Sequence, residues 1–230
     1  MEAIVLAGGF GTRLRHIVSD VPKPMAQVCG RPFLQYILED LAKKGVCRVI
    51  LAVGYKQEVI KDFFGDSYAG MEVAYSVEEA PLLTGGAVKQ AMASCTREQV
   101  LIVNGDTYFD VDIEAMARQH RNTGAELTIA TKRMRHFDRY GTVKTDETGR
   151  ILEFKEKAAC EQGDINGGVY MVQRNAILAL PQAVFSFETE YMEKQVGTGR
   201  IYAFTSEGYF IDIGVPEDYV KAQEDFATHA

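Results

Sequence analysis

The 230-residue sequence predicts an α/β fold, with a mixed, mostly parallel central sheet flanked by helices. Three observations carry that expectation. Through the first half, short apolar runs alternate with helix-period patterns, the mark of right-handed βαβ units. The first apolar run ends in a glycine-rich turn, Gly8-Gly9-Phe10-Gly11. The fourth ends in Asn104-Gly105-Asp106. Both turns therefore fall beyond the carboxyl ends of strands, where open α/β sheets bind ligands.

Taken in order, Ala3–Ala7 reads as a buried strand. Phe33–Lys44 reads as a helix, with Phe33, Leu34, Ile37, Leu38 and Leu41 on one face, Pro32 at its start and Gly45 at its end. Arg48–Val53 is a second strand, Gln57–Phe64 a second helix and Met71–Ser76 a third strand. A helix over Ala87–Ala93 follows a Gly85-Gly86 turn, and Val100–Val103 is the fourth strand. Asp110 and Asp112 are expected to cap a helix from Ile113. The second half carries strands at Glu126–Lys132, Gly141–Thr145, Ile151–Lys155 and Asp164–Val172, with a hairpin turn at Asp146–Gly149. Helices are expected at Arg174–Leu180 and Glu188–Val196, strands at Ile201–Thr205 and Tyr209–Ile213, and a closing helix at Pro216–Ala227. No linker or repeat interrupts this pattern. One domain is expected, with residues 1–125 mainly a nucleotide half and 126–230 mainly a second-substrate half.

Composition removes several function classes. Lys plus Arg is 25 and Asp plus Glu is 32, a net charge of −7, which argues against a nucleic-acid coat but not against a small anionic ligand. No apolar run approaches the ~18–20 residues that span a membrane. The start, MEAIVLAGG, lacks the basic flank and apolar length of a signal peptide, so a cytoplasmic protein is expected. Cys29, Cys47, Cys95 and Cys160 fit no zinc spacing and read as reduced, mostly buried thiols.

Chemistry gathers in a few segments. Gly8-Gly9-Phe10-Gly11-Thr12-Arg13-Leu14 has glycines for close approach to phosphate oxygens and a forked cation beside them. It is not the dinucleotide fingerprint, since Leu14 stands where the third glycine belongs, and no Gly-Lys-Ser/Thr follows to make a P-loop. Pro22-Lys23-Pro24 fixes a lysine in a rigid loop, a candidate second phosphate contact. Asp106, at the end of an apolar strand, is a candidate Mg²⁺ ligand. Asp212, alone in Tyr209–Gly214, is a carboxylate that a metal would compensate. Asn166-Gly167-Gly168 inside a strand implies close approach of a ligand or another backbone. Glu153, Lys155 and Lys157 read most simply as a solvated mixed-charge strand, and Glu188 as a helix-start residue. Two carboxylates from distant segments, one basic loop and one lysine are the parts of metal-assisted nucleotidyl transfer.

Taken together, Gly8–Leu14 (GGFGTRL), Pro22–Met25 (PKPM), Gly105-Asp106, Glu156-Lys157, Asn166–Tyr170 and Asp212–Tyr219 resemble the motif series of the sugar-1-phosphate nucleotidyltransferases. The resemblance covers nearly the whole chain. It implies a Rossmann-like, glycosyltransferase A-type fold. It implies that Leu6, Ala7 and Gly8, with Gly85 and Gly86, hold the nucleobase, and that Gly11, Thr12 and Arg13 bind the triphosphate. Gly9, Asn104 and Gly105 complete the nucleotide set. Arg13 and Lys23 are the implied catalytic residues, Lys23 bridging the α-phosphate and the sugar phosphate. Asp106 and Asp212 are the implied Mg²⁺ ligands. Glu156, Lys157, Asn166, Gly168 and Glu188 are the implied sugar-phosphate contacts.

Two departures stand out. The family's EKP is EKA here, with Ala158, and its LGTAGA is LLTGGA at 82–87. The segments around PKPM, EAPLLTGGAV and FSFETEYMEK are similar to family members that act on GTP and a heptose 1-phosphate and supply bacterial surface polysaccharide such as capsule or S-layer glycan. A uridylyl- or cytidylyltransferase acting on another sugar 1-phosphate is the alternative. Neither nucleic acid nor membrane is an expected partner, and the fold class admits a homodimer through the second half.

Overall fold

The computed structural model describes residues 1–9, 21–156 and 160–227. The first half runs β1 (Glu2–Leu6), a 3₁₀ turn (Lys23–Met25), β2 (Gln27–Val28), β3 (Arg31–Pro32), α1 (Phe33–Lys43), β4 (Arg48–Val53), α2 (Gln57–Phe64), β5 (Ser67–Tyr68), β6 (Met71–Val77), α3 (Leu83–Met92), β7 (Gln99–Asn104), β8 (Thr107–Phe109) and α4 (Ile113–Thr123). The second half runs β9 (Leu127–Phe137), β10 (Thr142–Thr145), β11 (Ile151–Lys155), β12 (Cys160–Gln173), α5 (Arg174–Leu178), α6 (Glu193–Gln195), β13 (Ile201–Thr205), β14 (Phe210–Asp212) and α7 (Pro216–Ala227).

Among the described residues the main sheet has ten strands, in the order β11-β10-β12-β7-β1-β4-β6-β5, with β9 paired to β12 and β13. β7, β1, β4 and β6 run parallel, as the alternating first half requires. β12 then pairs antiparallel to β7, which carries the sheet into the second half. The central strands are buried on both faces, so they read as continuous apolar runs rather than alternating ones. α1 covers one face with the apolar stripe expected of it, and α3 with Phe185 and Phe187 covers the other.

β8 and β14 form a separate two-stranded ribbon that the sequence pattern did not suggest. Its register pairs Thr107 with Asp212 and Phe109 with Phe210. The Ile213 amide donates to the Asp106 carbonyl at 3.0 Å, which extends the pairing by one step. Strand β8 is short and bounded by polar residues, so periodicity alone could not find it.

Several local expectations need correction. Gly85 and Gly86 do not form a turn: α3 already begins at Leu83 and both glycines lie in its first turn. Asp112 caps α4, accepting from the Ala115 amide at 2.8 Å. Asp110 does not cap it, because its carboxylate is drawn to Lys44 Nζ at 2.8 Å. The expected 188–196 helix is a π-type stretch, Phe187–Met192, followed by the single turn of α6. All four cysteines are free, but only Cys95 is buried and Cys47 is exposed.

His120 on α4 is fully buried, with Nδ1 2.8 Å from Thr128 Oγ1 and Nε2 unpartnered among the described residues. Burial, with Arg121 nearby, pushes its pKa from 6.5 down to about 4. The unfolded chain therefore binds the extra proton first as pH falls from 6.5 to 4, and stability drops across that window. The full loss is about 3 kcal/mol. Urea midpoints measured from pH 7 to pH 4 should fall less steeply in His120→Gln, and parallel slopes would contradict the assignment.

Candidate active site

A cleft of about 960 Å³ opens over the carboxyl ends of the parallel strands. Leu6, Gly8, Gly54, residues 78–81, Leu83 and Thr84, all of the first half, line it. The opposite wall comes from the second half, through Arg139, Tyr140, Glu156, Asn166 and Glu188. Lys23, Asp106 and Asp212 line the same cleft.

These three are held by independent pieces of structure. Pro22 and Pro24 deny the loop an ordinary helix, and the Met25 amide closes a tight turn on the Pro22 carbonyl at 2.8 Å. That turn aims Lys23 Nζ at Asp106 Oδ2, 2.5 Å away, and within 3.7 Å of Asp212 Oδ1. The β8–β14 ribbon sets the two aspartates side by side. The Gly214 amide also donates to Asp212 Oδ1 at 2.7 Å. Burial and the neighbouring Asp106 push the Asp212 pKa up to about 6, while Lys23, Gly214 and Arg139 oppose the rise. Among the described residues, one ammonium thus faces two carboxylates.

That charge imbalance bears on a metal. Among the described residues no cluster of three or more His, Cys, Asp or Glu could cage an ion. A pair of carboxylates open to a large cleft is instead the donor set that suits Mg²⁺, which takes one or two carboxylates and fills its shell with water and substrate phosphates. Asp106 and Asp212 fit it.

On the first-half wall, Glu78 Oε2 accepts from the Leu82 amide at 3.1 Å. Its other oxygen sits close over Gly8: a Cβ there would fall 2.7 Å from it and 3.3 Å from the Gly54 amide nitrogen, so a side chain at position 8 would push the Glu78 carboxylate aside. Burial raises the Glu78 pKa. On the far wall, Asn166 Oδ1 accepts from the Gly168 amide at 3.1 Å. Gly168 has φ +73°, and a Cβ there would lie 2.8 Å from Asn104 Nδ2. The close approach expected of the Asn166-Gly167-Gly168 segment is thus made to the Asn104 amide and, at Gly167, to the Phe109 ring. Arg139 pairs with Asp218 on α7, and its guanidinium lies 5.2 Å from the Tyr140 ring centre.

Of the residues singled out in the sequence, Leu6, Gly8, Gly9, Lys23, Asn104, Asp106, Glu156, Asn166, Gly168, Glu188 and Asp212 all line the cleft. Ala7, Gly85, Gly86 and Gly105 are buried behind it. A Cβ on Gly105 would be 2.6 Å from the Leu6 carbonyl oxygen, and one on Gly85 would meet the Phe185 ring at 2.2 Å. Gly11, Thr12, Arg13 and Lys157 lie outside the described residues. Sequence reasoning missed Glu78, Thr84, Arg139 and Tyr140. Glu78 carried a faint signal, a glutamate just past the end of a strand, on the same edge of the sheet as Asp106.

The family model described as nucleotidyl transferase matches residues 2–229. A D-glycero-alpha-D-manno-heptose 1-phosphate guanylyltransferase of Aneurinibacillus thermoaerophilus is 48% identical over 227 residues, covering 98% of each chain. A guanylyltransferase of the same name from Campylobacter jejuni is 44% identical over 221 residues, 95% of this chain and 97% of that one. Among solved structures, HddC from Yersinia pseudotuberculosis complexed with GMP-PN superposes with a TM-score of 0.87 at 36% identity, over 98% of this chain and 99% of that one.

The packing of Gly168 gives a direct test. Gly168→Ala forces a left-handed alanine against the Asn104 amide and should cost about 1–3 kcal/mol, lowering the thermal midpoint by about 3–10 °C. An unchanged midpoint in calorimetry would contradict the crowding.

Proposed function

The chain belongs to the nucleotidyl transferase family, and we propose that it joins GTP to D-glycero-α-D-manno-heptose 1-phosphate, giving GDP-heptose and pyrophosphate. The observation that carries this reading is the convergence of Lys23, Asp106 and Asp212 in the cleft. In the reaction a phosphate oxygen of the sugar attacks the α-phosphorus of GTP in line, and pyrophosphate leaves on the opposite side. The new P–O bond replaces the one to pyrophosphate, so no covalent protein intermediate is needed. Catalysis is then positioning plus charge stabilisation.

Each half has its share. Residues 1–125 mainly hold the nucleotide and 126–230 mainly the sugar phosphate. The Leu6–Gly8 backbone carries the base, with Gly85 and Gly86 acting indirectly by letting α3 pack close. Gly9, Gly11, Thr12 and Arg13 surround the triphosphate, with Asn104 and Gly105 beneath. Lys23 turns from Asp106 to the α-phosphate and the sugar phosphate as they arrive. Asp106 and Asp212 hold Mg²⁺, which supplies neutralisation of the charge on the phosphates when bound. Glu156, Lys157, Asn166, Gly168 and Glu188 hold the sugar phosphate. A cytoplasmic setting suits four free thiols.

Glu78 supports guanine over the other bases. A carboxylate only accepts, and guanine alone presents two adjacent donors, N1–H and the 2-amino group, to such an acceptor. Uracil and thymine would set carbonyl oxygens against it, and adenine a ring nitrogen.

Pyrophosphate release with Mg²⁺, crossing GTP, ATP, CTP and UTP against heptose 1-phosphate, mannose 1-phosphate and glucose 1-phosphate, tests the substrates. Release with GTP and the heptose is expected, and release only with another pair would overturn the assignment. Asp106→Asn, Asp212→Asn and Lys23→Ala should each lower kcat by ~10²–10³. Full turnover in any of them would remove that residue from the centre. Glu78→Gln should weaken use of GTP and admit xanthosine triphosphate, whose 2-oxo group matches the new amide donor. Unchanged GTP preference would take Glu78 out of base recognition.

A further inference from the structure

Thr84 stands on the nucleotide-side wall of the cleft, in the first turn of α3. Across from it lies the segment Ser186-Phe187-Glu188, on the other half of the chain. Two hydrogen bonds tie them together, and a third braces the segment. Thr84 Oγ1 donates to Glu188 Oε2 at 2.6 Å. The same oxygen accepts from the Phe187 amide at 2.9 Å. Ser186 Oγ donates to Glu188 Oε2 at 3.0 Å. Glu188 Oε2 is therefore filled by two hydroxyls. Glu188 Oε1 makes no hydrogen bond among the described residues, and the residue lines the cleft.

The approach to Thr84 is itself unusual. Leu83, immediately before it, has φ +60° and is 55% exposed. A leucine is rarely found in this left-handed region, and such outliers persist where the surroundings demand them. Here the turn sends the chain from Leu82 into α3 with the Thr84 hydroxyl facing the Ser186–Glu188 segment.

We propose that Thr84 is a positioning residue for the sugar 1-phosphate, acting through Glu188. The inference rests on the sugar-binding role given to Glu188 above. A glutamate held at one oxygen cannot rotate freely, so its second oxygen is presented to the sugar in a fixed direction. A sugar hydroxyl donating to that oxygen then binds without first having to order the side chain. No hydrogen bond or ion pair joins Glu188 to Lys23, Asp106 or Asp212, so the effect belongs to sugar affinity and not to the transfer step.

The test is steady-state kinetics with each substrate varied in turn, supported by a thermal midpoint for every variant. Thr84→Val, which keeps shape and removes the hydroxyl, should raise KM for the sugar 1-phosphate about tenfold, with kcat and the KM for GTP within about twofold of the parent chain. Thr84→Ser should restore the parent value. Glu188→Ala should raise the sugar KM at least as much, and Thr84→Val in that background should add nothing. A rise in GTP KM or a fall in kcat instead, equal effects of valine and serine, or additive effects in the double variant would each overturn the proposal. If Thr84→Val does not fold, the serine variant and Glu188→Gln still decide it, since a sugar KM unmoved by the glutamine would contradict the presented oxygen. Should the parent chain turn over a different sugar 1-phosphate, the substrate reading fails, and the same KM pattern on that sugar upholds Thr84. Turnover of the heptose with no KM change in Thr84→Val overturns Thr84 alone.

Discussion

Two negative charges placed side by side, with one lysine between them, are the constraint on which the cleft depends. Asp106 and Asp212 are brought together by the β8–β14 ribbon, whose backbone pairing fixes their separation whatever their charges prefer. Burial first, and the like charge of Asp106 second, push the Asp212 pKa up. Lys23 relieves part of the conflict from a loop that two prolines keep rigid. Among the described residues one of the two carboxylate charges is left without a partner cation, on the wall of the cleft. In the proposed reaction, the same preorganisation that is costly in the resting protein would stabilise charge during transfer.

Around that centre, the architecture works by close approach. Gly8 passes beneath the Glu78 carboxylate, Gly105 against the Leu6 carbonyl and Gly168 against the Asn104 amide. The first two lie at the carboxyl ends of the parallel strands, and the third is where β12 of the second half runs beside the end of β7. Because β12 pairs directly with β7, one continuous sheet carries both walls of the cleft. The Thr84–Glu188 link spans the same divide on the outside. Groups of the first and second halves are therefore set relative to one another by backbone pairing and by hydroxyl bonds rather than by a flexible joint.

Much of this was legible in the chain. The alternation of apolar runs and helical stripes yields the parallel strands, because a strand buried on both faces must be apolar throughout. Lys23, Asp106 and Asp212 stood out for the same reason each time, a lone charge in rigid or apolar surroundings. What escaped was of two kinds. The β8–β14 ribbon is too short to have a period, and it forms only because distant segments meet. Glu78, Thr84, Arg139 and Tyr140 are ordinary residues made special by what faces them. Thr84 matters through Glu188, which lies 104 residues away in the chain. The Gly85-Gly86 pair misled in the opposite sense: it read as a turn, yet both residues are helical and small so that Phe185 and Ala183 can pack against them. Asp110 likewise sat at a capping position but found a nearer cation in Lys44.

The most direct measurement of the central claim is calorimetric titration of a non-hydrolysable GTP analogue into the intact chain, with Mg²⁺ and with EDTA, in the parent and in Asp212→Asn. If the paired aspartates await a cation that arrives with the nucleotide, Mg²⁺ should tighten binding markedly in the parent, and the variant should lose most of that gain. Equal affinity with and without Mg²⁺ in the parent would contradict the account, as would a full Mg²⁺ gain that survives in Asp212→Asn.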